Sequence, residues 1–199
     1  DQYCQEVRLS GDTHGVRWVG GTYLLYIDTM GMQQATIGTA LFDPPYAGTN
    51  QYHLTSRSAA AFGQVEYDVS ERLTTIVGAR YTYDVRKMGM VVADTAGALL
   101  VFNKALYPDI AEQSFSNVSA KLELDWRASD TVMMYASVNG GTKAGNFSAP
   151  VFLPFAVADL PHDQEVLTAY ELGVKSTVFD GRARLNASAF HYDYDDYQA

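Results

Sequence analysis

Between Leu73 and Arg86 every charged residue is even-numbered (Arg80, Asp84, Arg86), while Leu73, Val77, Ala79, Tyr81, Tyr83 and Val85 are odd. Successive side chains of a strand point to opposite faces, so this pattern describes a ribbon with one charged side and one apolar side. The same alternation returns between Phe115 and Trp126, where Lys121, Glu123 and Asp125 are odd and Val118, Ala120, Leu122, Leu124 and Trp126 are even. It returns again between Val166 and Phe179, with Glu171 and Lys175 odd against Tyr170, Leu172, Val174 and Val178. A chain written this way is confined to sheets that keep their two faces in different environments.

About eight such segments follow one another: Glu6 to Ser10, Val16 to Asp28, Tyr52 to Tyr67, Leu73 to Arg86, Phe115 to Trp126, Thr131 to Lys143, Val166 to Phe179 and Arg182 to Tyr194. No ordinary helix is expected, although Leu106 to Ser114 can hold a turn of one. Soluble sandwiches alternate too, so alternation alone does not choose between a sandwich and a membrane barrel. Length favours the barrel, because most of these segments run to about a dozen residues where globular strands average five or six. Connection lengths agree. Asp68 to Arg72, Ala128 to Asp130 and Asp180 to Gly181 are tight, while Thr29 to Gln51, Lys87 to Ser114 and Asn146 to Gln164 are long. Short periplasmic turns and long extracellular loops are the habit of outer-membrane barrels.

Such a barrel needs aromatic girdles at both water interfaces. Tyr67, Trp126 and Phe179 stand beside the short turns, and Tyr26, Tyr81 and Tyr83 stand toward the long loops. The last segment is irregular, with Leu185, Ala187 and Ala189 on one parity and Phe190, Tyr192 and Tyr194 on the other; a bulge near Ala189 would reconcile them. The fold expected is an all-β, antiparallel up-and-down meander of about eight long strands, part of a larger transmembrane barrel in the bacterial outer membrane and in contact with its lipid.

Other classes fall away on composition. A formal charge of -9 and the lack of any basic run exclude a nucleic-acid surface. Cys4 is the one cysteine, so there is no disulfide and no thiolate metal site. The longest apolar runs, Ala98 to Phe102 and Val151 to Ala158, fall short of the roughly 18 residues a membrane helix requires. Asp1 opens the chain with neither a leader nor an initiator Met, which reads as a fragment or a processed product.

Several segments resemble the barrel of TonB-dependent outer-membrane receptors. They are Gln5-Glu6-Val7-Arg8-Leu9-Ser10, the hairpin from Ala61-Phe62-Gly63-Gln64-Val65-Glu66-Tyr67 into Val77-Gly78-Ala79-Arg80-Tyr81-Thr82, Tyr135-Ala136-Ser137, Gly141-Thr142-Lys143-Ala144-Gly145-Asn146-Phe147, Tyr170-Glu171-Leu172-Gly173-Val174-Lys175-Ser176 and Ala189-Phe190-His191-Tyr192-Asp193-Tyr194. The resemblance implies a barrel of the roughly 22-stranded type, plugged by an N-terminal domain. It also implies coupling through TonB to the inner-membrane proton gradient and import of a scarce small-molecule solute such as a ferric siderophore or other iron chelate. Residues 1–199 then form a partial barrel domain, without the plug, the TonB-contacting N-terminal box or the closing C-terminal strands.

Within that reading Arg80, Lys121, Glu123, Asp125, Glu171 and Lys175 are lumen-lining candidates that wet the interior and dock a plug, rather than direct solute contacts, because specificity usually resides on loops. Tyr46, Tyr52, Phe102, Tyr107, Phe152 and Phe155 supply loop aromatics for catching a ligand or, more commonly, for packing loop on loop.

No enzyme, cofactor or metal site is expected. His14, His53, His162 and His191 lack ligand spacing, and His191 to Asp196 reads as a strand tip rather than a calcium loop. Gly140-Gly141-Thr142-Lys143 lacks the order of a phosphate loop, and neither GxSxG nor HExxH occurs. Asn117, Asn146 and Asn186 open chance Asn-x-Ser matches. The rival readings are a passive porin, which has the same girdles and no plug, and a soluble adhesin-like sandwich, whose apolar faces would be buried against each other.

Overall fold

The structure, a computed structural model, describes residues 1–38, 45–151 and 154–198. Its strands are β1 (Gln2–Thr13), β2 (Val16–Ile37), β3 (Tyr46–Ser70), β4 (Leu73–Asp94), β5 (Leu99–Phe102), β6 (Glu112–Ser129), β7 (Val132–Lys143), β8 (Asn146–Phe147), β9 (Pro161–His162), β10 (Glu165–Val178) and β11 (Ala183–Asp195). The long strands pair in the order β1-β2-β3-β4-β6-β7-β10-β11, each antiparallel to its neighbour, with β5 folded back on the far end of β4. A separate two-stranded piece, β8-β9, and a single 3-10 turn at Val157–Asp159 lie in the connection to β10.

The tight turns that join the long strands, β1 to β2, β3 to β4, β6 to β7 and β10 to β11, all fall at one end of the sheet. His14 and Gly15 both have positive φ (50° and 78°), the geometry a two-residue hairpin needs to match the twist of its strands. Beside the β3–β4 and β6–β7 turns the register slips, between Asp68 and Ser70 and between Arg127 and Ser129, placing a bulge at the same rim of each hairpin.

The two faces differ in the sense opposite to that of a soluble sheet. On the apolar face Leu122, Leu124 and Trp126 keep 49%, 44% and 51% of their surface exposed, while on the polar face Thr74, Asp84, Asn117 and Ser137 keep 9%, 7%, 4% and 7%. Among the described residues no second sheet covers the apolar side. A sandwich would have interleaved those Leu, Val and Tyr side chains in a dry interior, so that rival is set aside.

Three expectations change in detail. The segments Thr29 to Gln51 and Lys87 to Ser114 are not loops throughout: β2 and β3 stay paired out to Ile37 opposite Tyr46, and β4 continues to Asp94. The stretch Leu106 to Ser114 does hold a single turn of helical type, Ala111 N–H on Tyr107 C=O (2.9 Å), following another closed by Tyr107 N–H on Asn103 C=O (2.8 Å). No bulge occurs near Ala189, because β10 and β11 keep an unbroken register from Val166 opposite Asp195 to Val178 opposite Ala183. Phe190, Tyr192 and Tyr194 therefore share the face of Glu171, where Phe190 and Tyr192 stack at 4.8 Å. Finally, Phe179 lies past the end of β10 in a left-handed turn conformation (φ 55°) and is not on the apolar face of the strand.

Candidate functional site

Register places Arg80, Lys121, Glu123, Asp125, Glu171 and Lys175 on one face of the sheet. Ser119 stands opposite Arg80, Ser137 opposite both Glu123 and Glu171, and Tyr135 opposite both Asp125 and Gly173. Among the described residues these six side chains form one ion pair with each other and otherwise meet neutral partners. Lys121 Nζ lies 2.8 Å from Glu123 Oε2 on its own strand. Tyr135 donates its hydroxyl to Glu171 Oε1 at 2.5 Å, and Lys175 Nζ sits 4.8 Å from the centre of the same ring. Gly173 makes room for that ring: a Cβ there would lie 2.6 Å from the Tyr135 hydroxyl oxygen and closer still to ring carbons. Arg80 lies over the rings of Tyr23 (5.2 Å) and Phe62 (5.7 Å), and Arg8 also lies 5.7 Å from the Phe62 ring. Oδ1 of Asp125 is buried with no hydrogen-bond partner among the described residues.

Tyr135, Tyr23 and Phe62 were not singled out as site residues from the sequence. Their signal was available, since each has the parity of the charged face of its strand; aromatic character alone pointed to the apolar side.

At the long-loop end the same face changes character. Met88, Met90 and Val92 of β4 join Phe102, Ala111, Phe147 and Leu160 in a buried apolar cluster, and Tyr52, Tyr107 and Phe155 pack against it. Phe102 is fully buried, stacked on Tyr107 at 5.4 Å and tilted against Phe147 at 6.0 Å. Asn50, also fully buried, donates Nδ2 to the carbonyl of Pro150 at 2.6 Å and so ties the 144–164 connection to β3. Tyr46 gives its hydroxyl to Asp94. Phe152 lies outside the described residues; the other loop aromatics are engaged in packing or hydrogen bonding between segments. The polar sheet face thus runs up to a layer of packed loops.

The opposite, apolar face carries Tyr26, Tyr67, Tyr81, Tyr83 and Trp126, with Tyr81 opposite Val118 and Trp126 opposite both Leu73 and Met134. Phe179 stands at the same end as Tyr67 and Trp126 but in the turn, 75% exposed.

The profile of the family described as "TonB dependent receptor-like, beta-barrel" matches residues 5–199. The chain belongs to that receptor-barrel family. Among solved structures it is similar to the ferric yersiniabactin uptake receptor of Yersinia pestis, with 18% sequence identity and a TM-score of 0.74 over 99% of this chain. It spans 29% of the length of that receptor, and at this identity the likeness is one of fold. The family is one of outer-membrane receptors rather than enzymes. Among the described residues no helix is long and apolar enough to cross a membrane, a statement that does not bear on strands.

For a receptor barrel the short-turn rim, beyond Tyr67, must hold its hairpins together in water. Arg17 does so by gripping Asp68 through two nitrogens, at 2.7 and 2.9 Å, and Glu66 through its Nε at 3.1 Å. Thr74 adds a hydroxyl to Asp68 at 2.8 Å. The hydrogen bonds from Arg17 and Thr74 hold the Asp68 carboxyl well below the usual carboxylate range. A depressed folded-state pKa gives a contribution present above the unfolded value, near 3.9, and lost as pH falls through the folded one. Unfolding of the barrel in detergent should accordingly become easier between about pH 4 and about pH 2, and Asp68→Asn should flatten that part of the profile. An unchanged slope in the variant would rule out this pair as the acid-sensitive lock.

Proposed function

We propose that these strands form part of an outer-membrane receptor that imports a scarce nutrient, an iron chelate in the first instance, by TonB-energised transport. One observation carries the reading: a polar, ion-paired sheet face runs beneath packed loops while the reverse face is apolar, exposed and flanked by aromatics. Such a sheet fits a wide barrel with lipid outside and a filled, wetted lumen within. On this reading Arg80, Lys121, Glu123, Asp125, Glu171 and Lys175 line the lumen and face a plug domain supplied by the rest of the protein. Tyr26, Tyr67, Tyr81, Tyr83 and Trp126 mark the two interfaces, with Phe179 at the rim. The solute meets the loop layer first.

The test is growth under iron limitation of a strain lacking the gene, supplied with different ferric siderophores, alongside a strain lacking TonB. Active import predicts loss of growth on one chelate class in both strains. Uptake that survives loss of TonB would favour the passive porin, and growth unaffected by the gene on every iron source would remove the iron chelate from the proposal.

A further inference from the structure

Met30 and Met32 of β2 keep 79% and 61% of their surface exposed, and contact with lipid does not account for it. Row by row toward the loops, the apolar face passes from Tyr26, Arg57 and Val85 to Asp28, Thr55, Lys87 and Glu112, and reaches Met30 in the row beyond. A row that holds Asp28, Lys87 and Glu112 belongs on the water side of a girdle, because such groups are costly in hydrocarbon. The two thioethers therefore stand in solvent, where their apolar character brings no gain from burial.

The strand beside them supplies a third donor. His53 of β3 is the register partner of Met30, and Gln51 is that of Met32. Directly opposed side chains on a sheet start about 4.5–5.5 Å apart at Cβ, and diagonal ones lie within reach of long side chains, so both methionines can meet His53. Gln51 donates Nε2 to Met32 Sδ at 4.0 Å, which draws that sulfur over β3. The register is locked from the reverse face. Tyr52 lies over Gly31, the residue between the two methionines, where a Cβ would come within 2.4 Å of the ring. Gly89, opposite His53 on β4, adds no side chain and leaves a groove of about 610 Å³ lined by Met30, Met32, His53 and Val91.

His53 is prepared as a ligand. Its Nε2 lies 2.5 Å from Asp28 Oδ1, and the same carboxylate takes a hydrogen bond from the Tyr26 hydroxyl at 3.3 Å. An acceptor there fixes the proton on Nε2 and leaves the Nδ1 lone pair for a cation, as outer carboxylates do for metal-binding imidazoles. Two thioethers and one imidazole are soft, neutral donors. They suit calcium and magnesium poorly, since those ions demand oxygen, and they favour Cu(I). Asp28 places one negative charge beside a monovalent ion without entering its coordination sphere.

We propose that Met30, Met32 and His53 form a binding site for Cu(I) at the long-loop end of the sheet, with Asp28 as the positioning residue for His53. The site is independent of TonB and of the solute that the receptor imports. No electron transfer is involved, and the ion binds and leaves as Cu(I).

The test titrates the full-length receptor, extracted from outer membranes in detergent, with Cu(I) under anaerobic ascorbate against a chromophoric Cu(I) chelator. The wild type should bind one equivalent more than the double variant Met30→Leu, Met32→Leu, which removes both sulfurs at nearly constant volume. His53→Gln should lose the same equivalent. Asp28→Asn should weaken it about 10- to 100-fold, and Asp28→Glu should recover it. Met134→Leu, at a half-exposed methionine of β7, should leave it intact. A second measurement needs no variant to fold: Ag(I), a redox-inert ion of the same softness, should protect Met30 and Met32 of the wild type, but not Met134, from sulfoxide formation by peroxide, read by peptide mass spectrometry. Three results would each overturn the proposal: Cu(I) binding unchanged in the double variant, oxidation of Met30 and Met32 indifferent to Ag(I), or Zn(II) displacing Cu(I) at equal concentration.

Discussion

Leu122→Arg should destabilise the folded barrel in a bilayer by about 2–4 kcal/mol, the cost of a basic side chain near the midplane on the lipid face of an outer-membrane barrel. Leu122 is half exposed on β6 and stands opposite Val77 on β4 and Val138 on β7. It is placed midway between Trp126 toward the short turns and Val118, whose partner is Tyr81, toward the loops. In water a half-exposed Leu replaced by Arg would change stability by no more than about 0.5 kcal/mol, since the long stem snorkels and the charge stays hydrated. The two environments therefore differ by a factor that urea titration in phospholipid vesicles resolves easily. Glu123→Gln, one residue along and on the opposite face, serves as the companion: it removes the partner of Lys121 on a partly hydrated surface and should cost less than Leu122→Arg. A Leu122→Arg penalty below about 1 kcal/mol in vesicles would contradict contact between this face and hydrocarbon.

The parity that makes this prediction possible was legible in the sequence because it has a purely local cause. A strand in a barrel wall sees lipid on one side and a polar interior on the other along its whole crossing, so Arg80, Asp84 and Arg86 could be sorted from Tyr81, Tyr83 and Val85 without knowing any neighbour. The rule inverts just past Arg86. Met88, Met90 and Val92 keep the even parity of those charges but are apolar, since at that end of the sheet their face is covered by folded loops. Read with a single polarity rule, the strand ends where its environment changes, which is why β4 extends to Asp94 while the sequence pattern stops at Arg86. Partnerships across the sheet were hidden for a different reason. That Tyr135 bridges Glu171 and Lys175 over Gly173 depends on the register between β7 and β10, and register follows from the lengths of connections such as 144–164, which no periodicity encodes. The edge strand β11 misled in the same way: Phe190 and Tyr192 look lipid-facing by composition, yet pairing with β10 sets them beside Glu171.

Phe102→Ala should unfasten the loop layer while leaving the strands paired. Phe102 is fully buried at the centre of a cluster drawn from β4, β5, the 103–111 turn and the β8–β9 connection, so truncating its ring leaves a cavity bordered by Tyr107, Phe147 and Met90. Phe-to-Ala changes in such sites cost about 3–5 kcal/mol. That loss falls on a unit with few other supports, principally the Asn50 hydrogen bond to Pro150 and the short pairings of β4 with β5 and of β8 with β9. The barrel strands draw their stability from cross-strand pairing over far longer spans, so the expected response is sub-global opening and not unfolding of the whole. Hydrogen exchange should show lost protection in 95–111 and 144–164 together, with β3, β6, β7 and β10 unchanged below the loops, and added protease should cleave the loops of otherwise folded protein. In the transport reading a loosened mouth also has to be ordered by the solute, which weakens capture without removing the lumen. Loss of protection in only one of the two segments would show that the cluster is not one cooperative unit, and that the loops above the barrel are held independently.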